Sequence, residues 1–180
     1  MIINVDEDIR LELIKETHSR PIFDMVNRNR NHLRTWLPFV DNMNTVDFAE
    51  NFVKGTIERT KTSIEYAFVI FDGQDAVGRI GVYKIDPQNK VGEIGYWLIE
   101  QSQSKGIIIK SCRALIAYCF EDLQLNRIEI RCGTENFKSM KIPERLGFTK
   151  EGILRQAEAL YGKFIDLYLF SILKAEYKRS

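Results

Sequence analysis

The sequence has few of the residues that build disulfide frameworks and metal clusters. Of its 180 residues, three are cysteines and two are histidines. Cys112, Cys119 and Cys132 form no CxxC pair, which argues against a disulfide scaffold or a zinc site. We therefore expect free core thiols in a reducing, cytoplasmic compartment, and no metal. A catalytic cysteine is the weaker alternative, because the sequence links neither His18 nor His32 to one.

Long apolar runs and a strong net charge are also missing. No segment approaches the length of a membrane span, and the first residues, MIINVDEDIR, do not resemble a signal peptide. The formal net charge is +1, and no basic run stands out. The sequence therefore predicts neither direct nucleic-acid binding nor attraction to a membrane. An ordinary composition, with 44% hydrophobic residues and no linker, predicts a single domain over residues 1–180.

Hydrophobic periodicity predicts an α/β fold with a mixed sheet. Apolar runs predict strands at residues 9–13, 65–71, 76–85, 91–99, 127–132, 148–154 and 164–173. Helical spacing predicts four helices, which begin near Ser19, Thr45, Gly106 and Asn136. Ser19 and Thr45 are the predicted N-caps of the first two helices, and the first helix is expected to reach Leu33. The strand–helix–strand unit at 91–132 implies one parallel pair of strands in a sheet built mostly from hairpins.

The turn that follows the strand at 91–99 is the clearest candidate binding site. Gly106 opens the next helix, and the first amides of a helix have no partner within it. The helix macrodipole adds partial positive charge at the same end. Residues 103–108 therefore form a candidate phosphate cradle, to which Lys105 adds its charge. An ordinary strand–turn–helix connection is the structural alternative.

This turn resembles the acyl-CoA motif of the GNAT acetyltransferases, (Arg/Gln)-x-x-Gly-x-(Gly/Ala). The segment Gln103-Ser104-Lys105-Gly106-Ile107-Ile108 matches the motif except at its last position, where Ile108 replaces a small residue. Close approach of a phosphate at this position requires the Ile108 side chain to point into the core.

Further motifs extend the resemblance over nearly the whole chain. These motifs are WLPF at 36–39, GEIGYWL at 92–98, Asn136-x-x-Ser139, Leu146-Gly147-Phe148, Glu151-Gly152-x-x-Arg155 and Gly162-x-x-x-Asp166. They are similar to those of the RimJ/RimL branch of the family, which acetylates protein N-termini. The resemblance implies the GNAT acyl-CoA N-acyltransferase fold, a mixed and mostly antiparallel sheet with splayed parallel central strands and flanking helices.

The same resemblance implies that acetyl-CoA binds between the splayed strands and that an amine attacks its thioester directly. The cofactor-binding residues that it implies are Trp97, Leu98, Ile99, Gln103, Ser104, Lys105, Gly106, Ile107, Ile108, Asn136 and Ser139. A backbone amide near Leu98 or Ile99 is the expected donor to the developing oxyanion.

Ser139 is the predicted catalytic acid. Many GNAT enzymes have a tyrosine where this chain has Pro143, and the RimL branch instead gives a serine the task of supporting the leaving thiolate. Ser139 matches that serine by its spacing from Asn136. The alternative is a solvated serine at the start of a helix that Asn136 merely caps.

Glu158 is the predicted catalytic base, again by resemblance to the RimL branch. Its apolar neighbours in the segment QAEALYG are expected to raise its pKa towards neutrality. Glu93 is the rival base, because strand alternation places it on the same face as Trp97. Both residues have a plain surface carboxylate as the alternative. Arg155 and Asp166 are predicted to form a structural ion pair.

The predicted acceptor is the N-terminal α-amine of a protein, such as a ribosomal protein. A small amine, for example a polyamine, amino acid or antibiotic, is the alternative substrate. A non-catalytic acyl-CoA-binding module is the alternative of a different class. Residues 36–39 are predicted to be either a packed connector or a wall of the acceptor pocket, and we also consider a homodimer.

Overall fold

The computed structural model describes residues 1–178, whose strands form one sheet. The strands are β1 (Ile2–Asn4), β2 (Ile9–Leu13), β3 (Tyr66–Asp72), β4 (Asp75–Asp86), β5 (Val91–Leu98), β6 (Arg127–Gly133), β7 (Thr149–Leu160) and β8 (Lys163–Leu173). The α-helices are α1 (Ser19–Arg28), α2 (Arg30–Leu33), α3 (Val46–Lys61), α4 (Ile107–Glu121) and α5 (Phe137–Arg145). Short 3-10 helices span Glu16–His18, Pro38–Asp41 and Glu100–Ser102. No helix of the described part is long and apolar enough to cross a membrane.

The order of strands in the sheet is β1-β2-β3-β4-β5-β6-β8-β7. Within residues 1–178, β5 and β6 pair in parallel and the other neighbours pair antiparallel. This arrangement confirms the predicted fold class, a mixed and mostly antiparallel sheet with parallel central strands and flanking helices.

Helices pack on both faces of the sheet. On one face, the Phe52 ring of α3 lies 4.6 Å from the guanidinium carbon of Arg79 on β4. On the other face, Tyr118 of α4 meets the Phe68 ring of β3 edge-on, with centroids 6.1 Å apart. Large side chains in these layers are fully buried, and each contributes roughly 1.5–3 kcal/mol of transfer free energy. Helices α3 and α4 therefore pack against opposite faces of the sheet and stabilise its central strands.

The structure corrects two predictions in the N-terminal part. Ser19 is not an N-cap, because a 3-10 helix precedes α1 and the Ser19 hydroxyl donates back to the Glu16 carbonyl at 2.8 Å. The first helix does not run unbroken to Leu33, since Asn29 separates α1 from α2. The Asn29 side chain donates to the Met25 carbonyl at 2.9 Å and so competes with the helical backbone. The sequence analysis also did not predict strand β1, because a segment of three residues is too short to show an alternation of apolar and polar residues.

Other predicted helix ends are confirmed. The Thr45 hydroxyl accepts a hydrogen bond from the Phe48 amide at 3.2 Å, as an N-cap does. At the other end of the chain, α5 contains Pro143 and stops just before Gly147, which has a left-handed φ of 78°.

The central strands part after a short shared segment. β5 and β6 pair over three positions, from Val91 with Arg127 to Glu93 with Glu129. Beyond these, β5 continues to Leu98 on the edge of β4, while β6 continues beside β8. A gap therefore opens between β5 and β6, and the predicted splaying of the parallel strands is confirmed.

Candidate active site

The turn before α4 has the geometry of an anion cradle. Gly106 is the N-cap residue of α4 and has a left-handed φ of 76°, and Ser104 has a φ of 64°. A Cβ added at Gly106 would meet no atom within 4 Å, so the space above the turn is open. Ser104 and Lys105 are exposed, whereas Ile107 is buried. The open backbone at a helix N-terminus suits the phosphates of acetyl-CoA.

Ile108 does not obstruct this turn. Its side chain is half-buried and packs against the hydrophobic core, as close approach of a phosphate to its amide requires. The departure from the small residue of the motif is thus accommodated by directing the side chain inwards.

The end of β5 presents one free candidate for the oxyanion donor rather than two. The Ile99 amide donates to the Val77 carbonyl of β4 at 2.9 Å, so it is engaged within the sheet. Successive peptide groups of a strand point to opposite edges, which directs the Leu98 amide to the edge that borders the gap. The expected donor at Ile99 is therefore corrected, and Leu98 remains. Trp97 and Leu98 lie at the last positions of β5.

The remaining predicted cofactor residues flank this gap. The Gln103 side chain is held between His32 of α2 and Lys138 of α5. Asn136 is the N-cap of α5 and accepts a hydrogen bond from the Ser139 amide at 3.1 Å. The capping interpretation of Asn136 therefore holds, and any contact with the cofactor would be additional to it.

Ser139 faces a residue that the sequence analysis overlooked. The Tyr96 hydroxyl, from β5, lies 3.4 Å from the Ser139 Oγ and 3.2 Å from the Ser139 carbonyl oxygen. Burial raises the pKa of Tyr96, so its hydroxyl keeps its proton at neutral pH. Two neutral hydroxyl groups thus meet between β5 and α5. The signal in the sequence was a tyrosine at a core-facing position of β5, where its hydroxyl needs a partner.

The two acidic candidates lie on the other face of the sheet, Glu93 on β5 and Glu158 on β7. The Glu93 carboxylate lies 2.9 Å from Lys84 Nζ and 3.5 Å from Arg131 Nε. Since Lys84 and Arg131 both form ion pairs with Glu93, this carboxylate fits a structural role better than the role of a catalytic base. Glu158 remains accessible to solvent on β7. Partial burial, followed by the negative charge of Glu93, raises the pKa of Glu158, and Lys84 opposes the shift.

Strand β7 reaches Glu158, which the sequence analysis placed after a strand ending at Leu154. The pairing of β7 with β8 shifts between Leu154 and Glu158, and Gln156 has a left-handed φ of 49°. This bulge interrupts the apolar alternation, so the continuation of the strand is not visible in the sequence.

Asp166 holds the bulge in place. Its carboxylate accepts a hydrogen bond from the Gln156 amide at 2.8 Å. In the described chain Asp166 forms no ion pair with Arg155, so the predicted pair is wrong. The carboxylate instead satisfies a backbone donor that the bulge removes from the strand ladder.

Two segments wall the face that carries Glu93 and Glu158. Phe39 lies beside Trp97, with ring centroids 6.5 Å apart. Trp36 packs over Gly133, and a Cβ added at Gly133 would lie only 3.0 Å from the Trp36 ring. Tyr161, at the tip of the β7–β8 hairpin, donates to the Arg34 carbonyl at 2.6 Å. An open groove of about 510 Å³ lies between Tyr161 and the residues Asn31, Arg34 and Thr35. Residues 36–39 thus form a packed connector over the ends of β5 and β6, and their role as a wall of the acceptor pocket stays a prediction.

The cysteines behave as the sequence predicts. All three are free and buried. Burial raises the pKa of the Cys132 thiol to about 11, and it also raises the pKa of Cys112 and Cys119. None is a ready nucleophile at neutral pH.

Comparison with known proteins identifies the family of the chain. The model of the acetyltransferase (GNAT) domain matches residues 8–149. The ribosomal-protein-serine acetyltransferase of Escherichia coli (strain K12) is 31% identical over 169 residues, which are 94% of each chain. The spermidine N(1)-acetyltransferase of Vibrio cholerae serotype O1 is 26% identical over 84% of this chain and 86% of its own.

A solved structure extends the agreement to the fold. RimL, a ribosomal L7/L12 α-N-protein acetyltransferase crystallised with coenzyme A, superposes with a TM-score of 0.92 and 28% identity. The match covers 96% of this chain and 98% of that one. A helix-opening glycine turn, a gap between splayed strands and a domain match over most of the sequence lead to one conclusion: the chain belongs to the GNAT acetyltransferase family and is an acetyl-CoA-dependent N-acetyltransferase.

Proposed function

We propose that the chain acetylates the N-terminal α-amine of a protein, as the names of its ribosomal-protein relatives suggest. The observation that carries this proposal is the similarity to ribosomal-protein acetyltransferases over 94–96% of this chain. An open surface groove lined by Asn31, Arg34, Thr35 and Tyr161 supports it. An extended peptide end can enter from this side, whereas a small amine is better retained by a closed pocket.

The roles of the chain's own residues follow from their positions. Acetyl-CoA, when bound, supplies the activated acetyl thioester. The amides of residues 104–108 bind its phosphates, and the Leu98 amide donates to the oxyanion. The Ser139 hydroxyl, aligned by Tyr96, donates to the leaving sulfur. Glu158 accepts the proton of the acceptor ammonium, directly or through one water.

The acceptor is tested with three matched amines. The first is a peptide with N-terminal serine and one internal lysine, the second is the same peptide with a blocked N-terminus, and the third is spermidine. Thiol release from acetyl-CoA gives the rates, and mass spectrometry locates the acetyl group. We expect the free peptide to be modified at its α-amine, with kcat/KM at least about 10²-fold above that for spermidine. Faster modification of spermidine would contradict the proposal.

A small amine is the second candidate acceptor. The spermidine acetyltransferase of Vibrio cholerae aligns over 86% of its own length, and Glu158 is an exposed carboxylate without an ion pair among the described residues. Polyamines are multiply cationic and would be attracted by this carboxylate. The same screen separates this candidate from the first.

The Ser139 hydroxyl is expected to matter for turnover and not for cofactor affinity. Ser139→Ala should lower kcat by about 10²-fold, the lower range for a positioned acid, with the affinity for acetyl-CoA nearly unchanged. Tyr96→Phe, which leaves Ser139 without its hydroxyl neighbour, should lower kcat about tenfold. Steady-state kinetics with the preferred acceptor measure both, and an unchanged kcat in Ser139→Ala would return this serine to a helix-start role.

Four broader expectations accompany the proposal. A cytoplasmic, bacterial origin suits buried free thiols and ribosomal-protein relatives. One domain over residues 1–180 suits the single sheet of the described residues. The absence of direct nucleic-acid binding stays a prediction, which a gel-shift assay tests. The homodimer also stays a prediction, and light scattering measures the mass of the chain in solution.

A further inference from the structure

The cofactor turn is tied to α2 by a hydrogen bond that crosses 71 residues of sequence. His32 Nε2 lies 2.8 Å from Gln103 Nε2. On the other side of Gln103, Lys138 Nζ of α5 lies 3.0 Å from Gln103 Oε1. Gln103 is the first residue of the candidate phosphate turn. A histidine, a glutamine and a lysine from three separate elements therefore form one chain of hydrogen bonds.

The protons in this chain have one consistent arrangement. A lysine ammonium can only donate, so the Gln103 oxygen accepts from Lys138 and the Gln103 amide nitrogen is left to donate. His32 Nε2 must then be the acceptor and carry no proton. The bridge thus requires a neutral imidazole with its proton on Nδ1.

A second contact fastens the same two segments. The Asn29 side-chain oxygen accepts a hydrogen bond from the Glu100 amide at 3.3 Å. Asn29 is buried at the break between α1 and α2, and its nitrogen is already used on the Met25 carbonyl. Asn29 and His32, three residues apart, therefore contact Glu100 and Gln103, which are also three residues apart. This clamp holds the segment that leads into Gly106.

We propose that His32 is a positioning residue for acetyl-CoA: its neutral, Nδ1-protonated ring accepts from Gln103 and fixes the turn whose amides bind the phosphates. It touches no reacting atom. The proposal rests on the proposed role of residues 103–108 as the phosphate site.

NMR can determine the tautomer of His32, because the chain has two histidines and their ring signals are readily assigned. His18 Nε2 lies 3.3 Å from the Glu12 carboxylate, so that ring donates from Nε2, the opposite arrangement. Long-range proton–nitrogen NMR spectra of the labelled full chain at pH 7.5 should show one ring of each tautomer. His32→Gln identifies the signals by removing one set. An Nε2-protonated or charged His32 ring at this pH would overturn the proposal.

Calorimetric titration with coenzyme A tests whether His32 contributes to the affinity for the cofactor. His32→Leu should raise the Kd about five- to tenfold, the loss expected for one hydrogen bond. His32→Gln offers an acceptor oxygen in place of the ring nitrogen and should restore the Kd to within about twofold of wild type. The matched control, His18→Gln, removes the other histidine and should leave the Kd unchanged. Wild-type affinity in His32→Leu would refute the positioning role.

Failure of this inference is distinguishable from failure of the phosphate site. If Gly106→Glu abolishes coenzyme A binding while His32→Leu does not weaken it, the site stands and the positioning role falls. If Gly106→Glu binds as wild type, the turn is not the phosphate site, and the positioning role of His32 falls with it. Should His32→Leu fail to fold, the tautomer of His32 in the wild-type chain still decides the question.

Discussion

Gly106→Glu is expected to abolish acetyl-CoA binding while the fold survives. The glutamate would enter the open space above Gly106, where a Cβ meets no atom within 4 Å, and so stand where the phosphates are expected. It would also repel them electrostatically and strain a residue at φ 76°. Loss of one or two charge-assisted hydrogen bonds corresponds to a decrease in affinity of about 10²-fold or more.

The measurement is thermal unfolding with and without coenzyme A. A ligand that binds only the folded chain raises the Tm by mass action, so wild type should be stabilised and Gly106→Glu should not. Gly73→Glu is a matched control, because Gly73 also has a left-handed φ, of 59°, and open space, but lies in the β3–β4 turn. It should suffer the same backbone strain and still respond to coenzyme A. An equal response in Gly106→Glu would remove the phosphate site from this turn.

Glu158→Gln is expected to produce the largest loss of activity. The wild-type kcat/KM should fall as the pH decreases through the raised pKa of Glu158, because the protonated carboxyl cannot accept a proton from the acceptor ammonium. The variant has no carboxylate to titrate, so this acidic limb should vanish and the rate at neutral pH should drop by about 10³-fold. Partial recovery is expected at high pH, where the acceptor amine is already neutral.

Glu93→Gln separates the two candidate bases. Glu93 contributes a negative charge that raises the pKa of Glu158, so its removal should shift the acidic limb to lower pH without abolishing it. Coenzyme A affinity should be unchanged in both variants. If Glu158→Gln kept the acidic limb and Glu93→Gln lost it, the base would be Glu93, despite its ion pairs with Lys84 and Arg131.

The comparison of β5 with β7 shows which features of the site can be predicted from sequence. The segment VGEIGYWL is rich in apolar and aromatic residues, and it forms β5 at almost the predicted bounds. β7 is longer than predicted because its bulge depends on the Asp166 carboxylate, which comes from another strand. No periodicity within residues 149–160 encodes that partner.

The sequence also does not show which backbone amide at the end of β5 is already engaged in a hydrogen bond within the sheet. From sequence, the amides of Leu98 and Ile99 are equivalent candidates for the oxyanion donor. The register of β4 against β5 decides between them by placing the Val77 carbonyl on the Ile99 amide. The same holds for Tyr96, whose partner Ser139 lies 43 residues further along the chain.

The sequence by itself determined the order of most elements, the Gly106 turn, the buried free cysteines and the family, because these depend on residues adjacent in the chain and on local backbone preference. Only the tertiary structure decided the extent of the gap between β5 and β6, the engagement of Ile99, the bulge that carries Glu158 and the contacts of Gln103 with His32 and Lys138. These contacts join groups far apart in sequence. Their geometry is fixed by strand register and by the packing of helices on the sheet, which no local pattern of residues specifies.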